Sequence, residues 1–299
     1  PDRVKEHADA IRDATVECIN AFIEEGRADL AADLAAHVPP IIIAKILGLG
    51  SDDAARFAAW TGEMNRSASR GDEAANRAAA GALLAFVDEQ VRLARGSESG
   101  DLIAMIANSD IAGEPIPHEI AVGAVITLVV AGHETTVNGI ASVLWLLGAH
   151  PDIKQRLIDD PALIPNAVEE ALRLESPVQM MARTLTEDAE IDGIEMKAGD
   201  KVGLVWGAGN HDESKFADPD RFDIDRPANP HLAFGHGIHR CVGEHLARLE
   251  MRVAVEEVLR RLPDYRIAGD VPVGANSAMN RGPRTVPVTF TPAARSLPG

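Results

Sequence analysis

The sequence predicts a mainly α-helical protein with a small β part, and three observations support this. Apolar residues near the start recur every three or four positions, as on one face of a helix; they are Val4, Ala8, Ile11, Thr15, Cys18 and Phe22. A long apolar run covers residues 118–148. Residues 183–205 instead show short alternating segments and Gly-containing turns, which are typical of strands and hairpins.

Composition limits the function classes. The chain has 299 residues, of which 46% are hydrophobic and 25% charged, so it can bury a large core and is not disordered. We see no linker and predict a single domain over 1–299. Its 46 acidic and 29 basic side chains give a net charge of −17, which argues against binding nucleic acid or an anionic membrane.

The cellular setting is predicted from the two cysteines and from the first residues. Two cysteines are few for a secreted scaffold, and no signal peptide opens the sequence. We therefore expect a reduced, cytoplasmic setting. Because the first residue is Pro1 rather than Met, a removed leader stays an open alternative. Cys18 lies on the apolar stripe, and we expect it in the core.

The first elements are predicted to be helices. Pro39 and Pro40 interrupt the chain before the apolar segment 41–49, and alanine-rich helices follow over 52–64 and 72–95. Residues 96–100 form a loop. A helix over 118–148 would be about 46 Å long. Its run is interrupted by Glu134 and lacks aromatic or basic flanks, so we predict a buried central helix and no membrane span.

The second half adds helices and the β part. Two helices follow Pro151 and end near Glu175, and residues 183–205 form short strands with a hairpin at 189–193. Residues 212–230 are irregular and rich in Pro and Asp. A last long helix is predicted from Cys241 to Leu262, and residues 272–290 form strands and turns.

The strongest chemical signal is residues 234–243, Phe-Gly-His-Gly-Ile-His-Arg-Cys-Val-Gly. Glycines bracket a cysteine at the start of a helix, where the helix dipole and free N–H groups stabilise a thiolate. Three interpretations are open from the residues alone. Cys241 is a nucleophile with His239 or His245 as base, a zinc ligand with His236, His239 and His245, or the single thiolate ligand of a haem.

This segment resembles the haem-binding signature of cytochromes P450, in which Phe, Gly, Cys and Gly fall at the spacing of Phe234, Gly237, Cys241 and Gly243. Three more segments resemble the same family in the same order: 131–136 (AGHETT), 170–173 (EALR) and 219–222 (PDRF). The resemblance covers essentially the whole chain and implies the cytochrome P450 fold.

The resemblance also implies roles for individual residues. Cys241 would be the only protein ligand of a haem b iron, and Thr135 and Glu134 would support dioxygen and relay protons. His239 and Arg183 would bind the haem propionates, while His133 and Thr136 would be structural. The remaining residues expected at the haem are Phe234, Gly235, Gly237, Gly243, Ala131 and Gly132.

Glu170 and Arg173 are three residues apart and share a helix face. On the sequence alone, a weak surface pair is the simpler interpretation. The resemblance instead implies one buried network of Glu170, Arg173 and Arg221.

The reaction implied is insertion of one oxygen atom from dioxygen into a C–H or C=C bond. No dinucleotide-binding fingerprint is present, so electrons from NAD(P)H must arrive through a separate carrier, and we expect a ferredoxin with its reductase. Arg240, Arg248 and Arg252 are either a basic docking patch or solvated residues. A hydrophobic small molecule is the expected substrate; terpenoid, steroid, fatty acid and polyketide all stay open. The pocket residues expected are Thr127, Val130, Ala131, Gln179, Met180, Met181 and the segment 276–279.

One departure concerns the N-terminus. Family members have a further region before the segment that residues 1–22 resemble, with a Trp followed four residues later by a haem-contacting Arg. Trp60, Trp145 and Trp206 do not fit that spacing. We therefore expect an N-terminally truncated P450, and a catalytically incompetent haem-binding fragment or partner-binding module is the alternative.

Overall fold

A computed structural model describes residues 2–275 and 279–296. Most of the described chain is helical. The α-helices are α1 (Asp2–Lys5), α2 (Ala8–Phe22), α3 (Val38–Ile46), α4 (Ser51–Arg70), α5 (Glu73–Ala94), α6 (Leu102–Ala107), α7 (His118–Ala149), α8 (Pro151–Asp159), α9 (Ile164–Leu174), α10 (Trp206–Gly209) and α11 (Glu244–Arg261). A π-helix covers Leu30–Ala35, and 3₁₀ turns cover Pro161–Leu163 and Gly237–His239.

The strands are short and pair antiparallel in small sheets. They are β1 (Arg27–Asp29), β2 (Asp110–Ile111), β3 (Glu114–Pro115), β4 (Met181–Thr184), β5 (Ala189–Ile191), β6 (Ile194–Met196), β7 (Lys201–Leu204), β8 (Arg266–Ile267), β9 (Val273–Ala275), β10 (Arg281–Pro283) and β11 (Pro287–Thr289). Strand β11 lies between β1 and β8, and the other pairs are β2–β3, β4–β7, β5–β6 and β9–β10. The hairpin predicted near residues 189–193 is the β5–β6 pair, turned by Asp192 and Gly193 at positive φ.

The long helix α7 organises the core. Its C-terminal half, including Ile140 and Leu144, is buried with α2, α3, α9 and α11, and its N-terminal half packs Val125 and Val129 against α5 and α6. In the described chain, α7 alone is long and apolar enough to cross a membrane by length and composition. Because other helices pack around it, we describe it as the central helix of the domain.

Most predicted helices are confirmed with shifted ends. Pro39 and Pro40 lie in the first turn of α3 rather than before it, because proline lacks only an N–H that is unpaired there in any case. The Asp72 side chain caps α5 by accepting a hydrogen bond from the Ala75 N–H. The last helix begins at Glu244, three residues after Cys241, which leaves the cysteine in the preceding loop.

Candidate functional site

The helix α7, which carries Glu134 and Thr135, packs closely against α11, which follows the Cys241 loop. A Cβ on Gly139 would lie 3.0 Å from Sδ of Met251, so the two helices approach closely here. Ala131 is eight residues before Gly139, which is about 12 Å along α7. Glu244 is seven residues before Met251, which is about 10 Å along α11.

The loop that carries Cys241 is shaped by backbone hydrogen bonds and two glycines. The Cys241 N–H donates to the Phe234 carbonyl at 2.9 Å, and the Arg240 N–H donates to the Gly237 carbonyl at 3.1 Å. Gly235 and Gly237 have φ of +69° and +70°, a left-handed conformation that favours glycine. The sequence thus specifies this loop through the glycines that predicted it.

The Cys241 residue is exposed and its thiol is free. Partial desolvation by neighbouring atoms raises the pKa of the Cys241 thiol, and the backbone N–H groups of Gly243 and Glu244 oppose that rise. The backbone N–H groups near the start of α11 therefore lower the pKa of the Cys241 thiol, but by less than desolvation raises it. The Glu244 N–H donates to the Cys241 carbonyl at 3.4 Å. Cys18 packs partly buried against the main core, where desolvation raises its pKa to about 11.

The loop presents apolar side chains as well as the thiol. Ile238 is 97% exposed and Val242 85% exposed, and both flank Cys241. His239 and His236 are also exposed. Among residues 2–275 and 279–296, no three His, Cys, Asp or Glu side chains converge as a metal site, so the zinc interpretation lacks its ligand cluster.

On α7, Thr135 Oγ1 donates to the Ala131 carbonyl at 2.8 Å. Gly132 keeps the helix close to α3, because a Cβ there would lie 3.4 Å from Cδ1 of Ile43. The predicted pocket residues Thr127, Val130 and Ala131 are exposed on this helix, so they are available to a ligand.

The Glu134 carboxylate contacts two amides from distant parts of the chain. Its Oε2 accepts hydrogen bonds from Asn65 Nδ2 on α4 and, at 3.0 Å, from Asn280 Nδ2 beside β10. Desolvation raises the pKa of Glu134, while the two amides oppose the rise. Nothing in the sequence near Asn65 or Asn280 indicates this contact, because it joins residues 69 and 146 positions apart.

His133 faces α4. Its Nδ1 lies 2.6 Å from Thr61 Oγ1, and desolvation lowers its pKa to about 4, so the ring is neutral near pH 7. This supports the structural role expected for His133. Thr136 is buried, as a packing residue would be.

The predicted pocket residues between the end of α9 and the start of β4 differ in their exposure. Met180 and Met181 are exposed beside and on β4. Gln179, expected in the pocket, instead donates its amide to the Ser176 carbonyl at 2.7 Å and lies against Gly207, where a Cβ would come within 2.4 Å of its Oε1. Arg183 is half-exposed, with Nη1 on the Ala182 carbonyl. Residues 276–278 of the expected closing segment lie outside the described residues.

The buried network is confirmed for Glu170 and Arg173 and is wrong for Arg221. Arg173 donates to Glu170 through Nε and Nη2 at 2.9 and 2.8 Å, and both side chains are at most 1% exposed. Arg221 contributes only its backbone carbonyl, to Arg173 Nη2, and the residue is exposed. The next residue, Phe222, points into the core, which turns Arg221 outwards.

Arg226 takes the place predicted for Arg221. Its Nε lies 3.3 Å from both Glu170 oxygens, and its side chain is 8% exposed. Asn229 Nδ2 donates to Glu170 Oε2 at 3.0 Å, and the Asp223 N–H donates to Oε1 at 3.1 Å. These donors satisfy a buried carboxylate, as a buried ion pair requires.

The predicted basic patch is largely neutralised by carboxylates. Arg240 donates to both oxygens of Glu244, and Arg248 donates to Glu169 and Glu244. Two of the three arginines, Arg240 and Arg248, are therefore paired with carboxylates of the same protein.

Comparison with known proteins identifies the family. The Cytochrome P450 family model matches residues 101–263. A steroid C26-monooxygenase of Mycolicibacterium smegmatis is 37% identical over 99% of this chain and 75% of that protein, and a methyl-branched lipid omega-hydroxylase of Mycobacterium bovis is 37% identical over 94% and 68%. The crystal structure of P450BioI in complex with an acyl carrier protein ligated to hexadec-9Z-enoic acid has a TM-score of 0.90 at 33% identity and covers 97% of this chain and 76% of that one. These matches show that the chain, with its helix-borne Thr135, its buried Glu170–Arg173 pair and its thiol loop, belongs to the cytochrome P450 family, as a monooxygenase whose cofactor is haem b.

Proposed function

We propose that this cytoplasmic protein inserts one oxygen atom from dioxygen into a hydrophobic small organic molecule, with electrons from NAD(P)H delivered by a separate ferredoxin-type partner. The observation that carries the proposal is the environment of Cys241. Cys241 is a free, exposed cysteine on a loop turned by Gly235 and Gly237, and the same loop presents the exposed apolar side chains of Ile238 and Val242. A soft thiolate with apolar neighbours suits an iron porphyrin better than a hydrolytic metal site.

The residues present fit haem b. The exposed Ile238 and Val242 offer apolar contact to a flat ring, and the space around Gly237 is open, since a Cβ there would meet no atom within 4 Å. Cys241 would hold the iron, and the half-exposed Arg183 and exposed His239 would bind the propionates. When bound, the haem supplies the activation of dioxygen. The chain supplies the Cys241 thiolate, the apolar side chains of Ile238 and Val242, and groups that carry protons.

Thr135 and Glu134 carry the proton part of the proposal. The Thr135 hydroxyl donates to the Ala131 carbonyl, and it provides a polar position on a helix that is mostly apolar. Glu134 is poised to exchange protons because desolvation raises its pKa. We assign Thr135 to hold the hydrogen-bonding position nearest the reaction and Glu134 to resupply its proton.

The substrate class rests on the exposed side chains of α7 and of the segment at the start of β4. Thr127, Val130, Ala131, Met180 and Met181 are exposed, small or flexible, and largely apolar. The relatives named above act on a steroid and a methyl-branched lipid, and the solved neighbour carries a C16 acyl chain. We therefore propose a lipid-like substrate whose aliphatic part contacts these side chains of α7 and β4.

The experiment that tests the proposal is the carbon monoxide difference spectrum of the reduced, haem-reconstituted protein. We expect a Soret band shifted far to the red, which reports a thiolate ligand, and its loss in Cys241→Ser. Cys18→Ser is the matched control and should keep the band. If Cys18→Ser loses the band and Cys241→Ser keeps it, or if neither the parent nor the control shows it, the assignment of Cys241 is wrong.

A further inference from the structure

Three of the four exposed methionines in the described chain lie together near the start of β4. Met180, Met181 and Met279 are 38%, 39% and 46% exposed. The fourth, Met105, lies on α6 and is 45% exposed. An exposed thioether is open to oxidation to a sulfoxide. Exposure alone therefore gives these four side chains similar reactivity towards an oxidant in solution.

Backbone hydrogen bonds join the three clustered methionines into one small sheet. The Gln179 N–H donates to the Met279 carbonyl at 2.8 Å, and the Gln179 carbonyl accepts from the Gly207 N–H at 3.0 Å. Val178 and Asn280 form an antiparallel bridge, which puts Gln179 opposite Met279. The segment that leads into β4 is therefore paired on both sides, like a strand inside a sheet.

Alternation along this segment separates the methionines onto two faces, because successive side chains of a strand point to opposite faces. Met181 shares one face with Arg183. Met279 belongs to the same face, because it pairs with the residue two positions before Met181. Met180 lies on the other face, where its Sδ is 3.8 Å from the position of a Cβ on Gly203, the partner of residue 182.

The face that carries Met181 and Met279 is the haem side of β4. Arg183, two residues after Met181 on this face, is the group assigned above to a haem propionate. The segment of Met279 also reaches the region of proton transfer, since the next residue, Asn280, donates to Glu134 Oε2 at 3.0 Å. Two thioethers therefore border the region of the reaction, and the equally exposed Met180 faces away from it.

A monooxygenase produces an oxidant in this region whenever its electrons do not reach the product. Dioxygen then takes up two electrons and two protons and leaves as hydrogen peroxide. A methionine thioether reduces hydrogen peroxide: the O–O bond breaks, one oxygen atom bonds to the sulfur, and water leaves. The sulfur loses two electrons and becomes a sulfoxide, which methionine sulfoxide reductases convert back to the thioether.

We propose that Met181 and Met279 form an oxidant trap: their thioethers consume hydrogen peroxide formed on the haem side of β4 before it attacks the haem. This inference rests on the proposed haem site at Cys241 and Arg183. It gives two exposed methionines a role that leucine could not fill, because leucine has a similar apolar volume but no sulfur to oxidise.

The first test uses Met180 and Met181 as a matched pair, because they are neighbours of nearly equal exposure on opposite faces. In the haem-free chain, hydrogen peroxide added to the solution should oxidise both at similar rates. In the haem-loaded protein, NAD(P)H, a ferredoxin and its reductase generate peroxide without substrate, and catalase removes any peroxide that reaches the solution. Peptide mass spectrometry should then find the gain of one oxygen atom at Met181 and Met279 rather than at Met180 and Met105.

The ratio of sulfoxide at Met181 to sulfoxide at Met180 decides this test. A ratio that rises from the haem-free to the haem-loaded protein supports the trap. If the ratio is the same in both, exposure alone sets the oxidation and the proposal is wrong.

The second test follows the bleaching of the haem by added hydrogen peroxide, as loss of the Soret band. The parent protein should show a lag while the two thioethers are oxidised. The double variant Met181→Leu/Met279→Leu should lose this lag. The control Met180→Leu/Met105→Leu removes two thioethers of similar exposure outside the haem side of β4 and should keep the lag.

Equal bleaching curves in the two double variants would overturn the proposal, because the position of the thioethers would then have no effect on the haem. Failure of the haem site itself has a separate signature. A parent protein without the thiolate band in its carbon monoxide difference spectrum would refute the role of Cys241, and with it the source of the peroxide.

Discussion

Asn65 on α4 donates a hydrogen bond to the Glu134 carboxylate on α7, and Asn280 donates to the same oxygen. The acid at the middle of the central helix is therefore held by neutral amides from two other parts of the fold. Neutral donors stabilise the carboxylate less than cations would, so desolvation prevails and the pKa of Glu134 is raised.

Removal of these amides should raise the pKa of Glu134 further. Asn65→Leu and Asn280→Leu each delete one donor to the charged form, so the protonated acid should persist to higher pH. Infrared difference spectroscopy of the carboxylic acid C=O stretch, assigned with Glu134→Gln, measures this directly. Glu134→Gln itself should slow turnover by about 10² or more, the usual contribution of a positioned proton-transfer group. An unchanged titration in both Leu variants would show that the amides do not set the acid's charge.

Thr135→Ala should uncouple electron use from product formation. The variant keeps the apolar face of α7 and loses the hydroxyl bound to the Ala131 carbonyl. We expect haem and substrate binding to persist while reducing equivalents go to hydrogen peroxide, measured as the ratio of peroxide to NAD(P)H consumed. Thr15→Ala on α2 removes the same kind of bond, to the Ile11 carbonyl, and is the control. If the two variants give the same ratio of peroxide to NAD(P)H consumed, the Thr135 hydroxyl has no role in proton transfer.

Arg226→Ala should destabilise the fold and Arg221→Ala should not. Loss of Arg226 leaves the buried Glu170 with one cation in place of two, and breaking a buried pair typically costs about 3–5 kcal/mol. Arg221 uses only its carbonyl in the network, so its truncation should stay within about 0.5 kcal/mol. Urea denaturation and haem content measure both. If the two variants lose similar amounts of unfolding free energy, the Arg221 side chain does contribute to the Glu170 network.

These residues show which features the sequence could predict. The helix over 118–148 and the loop around Cys241 follow from local patterns, an apolar run and paired glycines, and both are present. The strand pair β1–β11 was not predicted, because neither short strand has an amphipathic pattern and its register joins Arg27 to Thr289. No local pattern marks Asn65 and Asn280 either, because only the fold brings these two residues to Glu134.

The error at Arg221 has a different origin. The motif gave the correct segment, but the segment is irregular, and no period fixes which of its side chains faces inwards. Phe222 and Ile224 fill the core, and Arg226 comes next to the Glu170 carboxylate. In a turn-rich segment the inward residues are set by the turns and by packing, which a motif match does not contain.

Glu250→Gln should stabilise the protein at neutral and alkaline pH. The Glu250 residue is 2% exposed, its Oε2 has no hydrogen-bond partner among the described residues, and burial raises its pKa from 4.5 to about 8. A carboxyl whose folded pKa is raised holds its proton more tightly when folded. Its contribution to stability is therefore complete below about pH 4.5 and is lost as the pH rises towards 8.

The glutamine variant has no proton to lose, so its free energy of unfolding should vary less between pH 5 and pH 8. Urea denaturation at several pH values, taken as the difference between variant and parent, isolates this one group from the other titrations. The difference should grow in favour of Glu250→Gln as the pH increases. A difference independent of pH would mean that Glu250 is already ionised in the folded protein, with a partner that stabilises its charge.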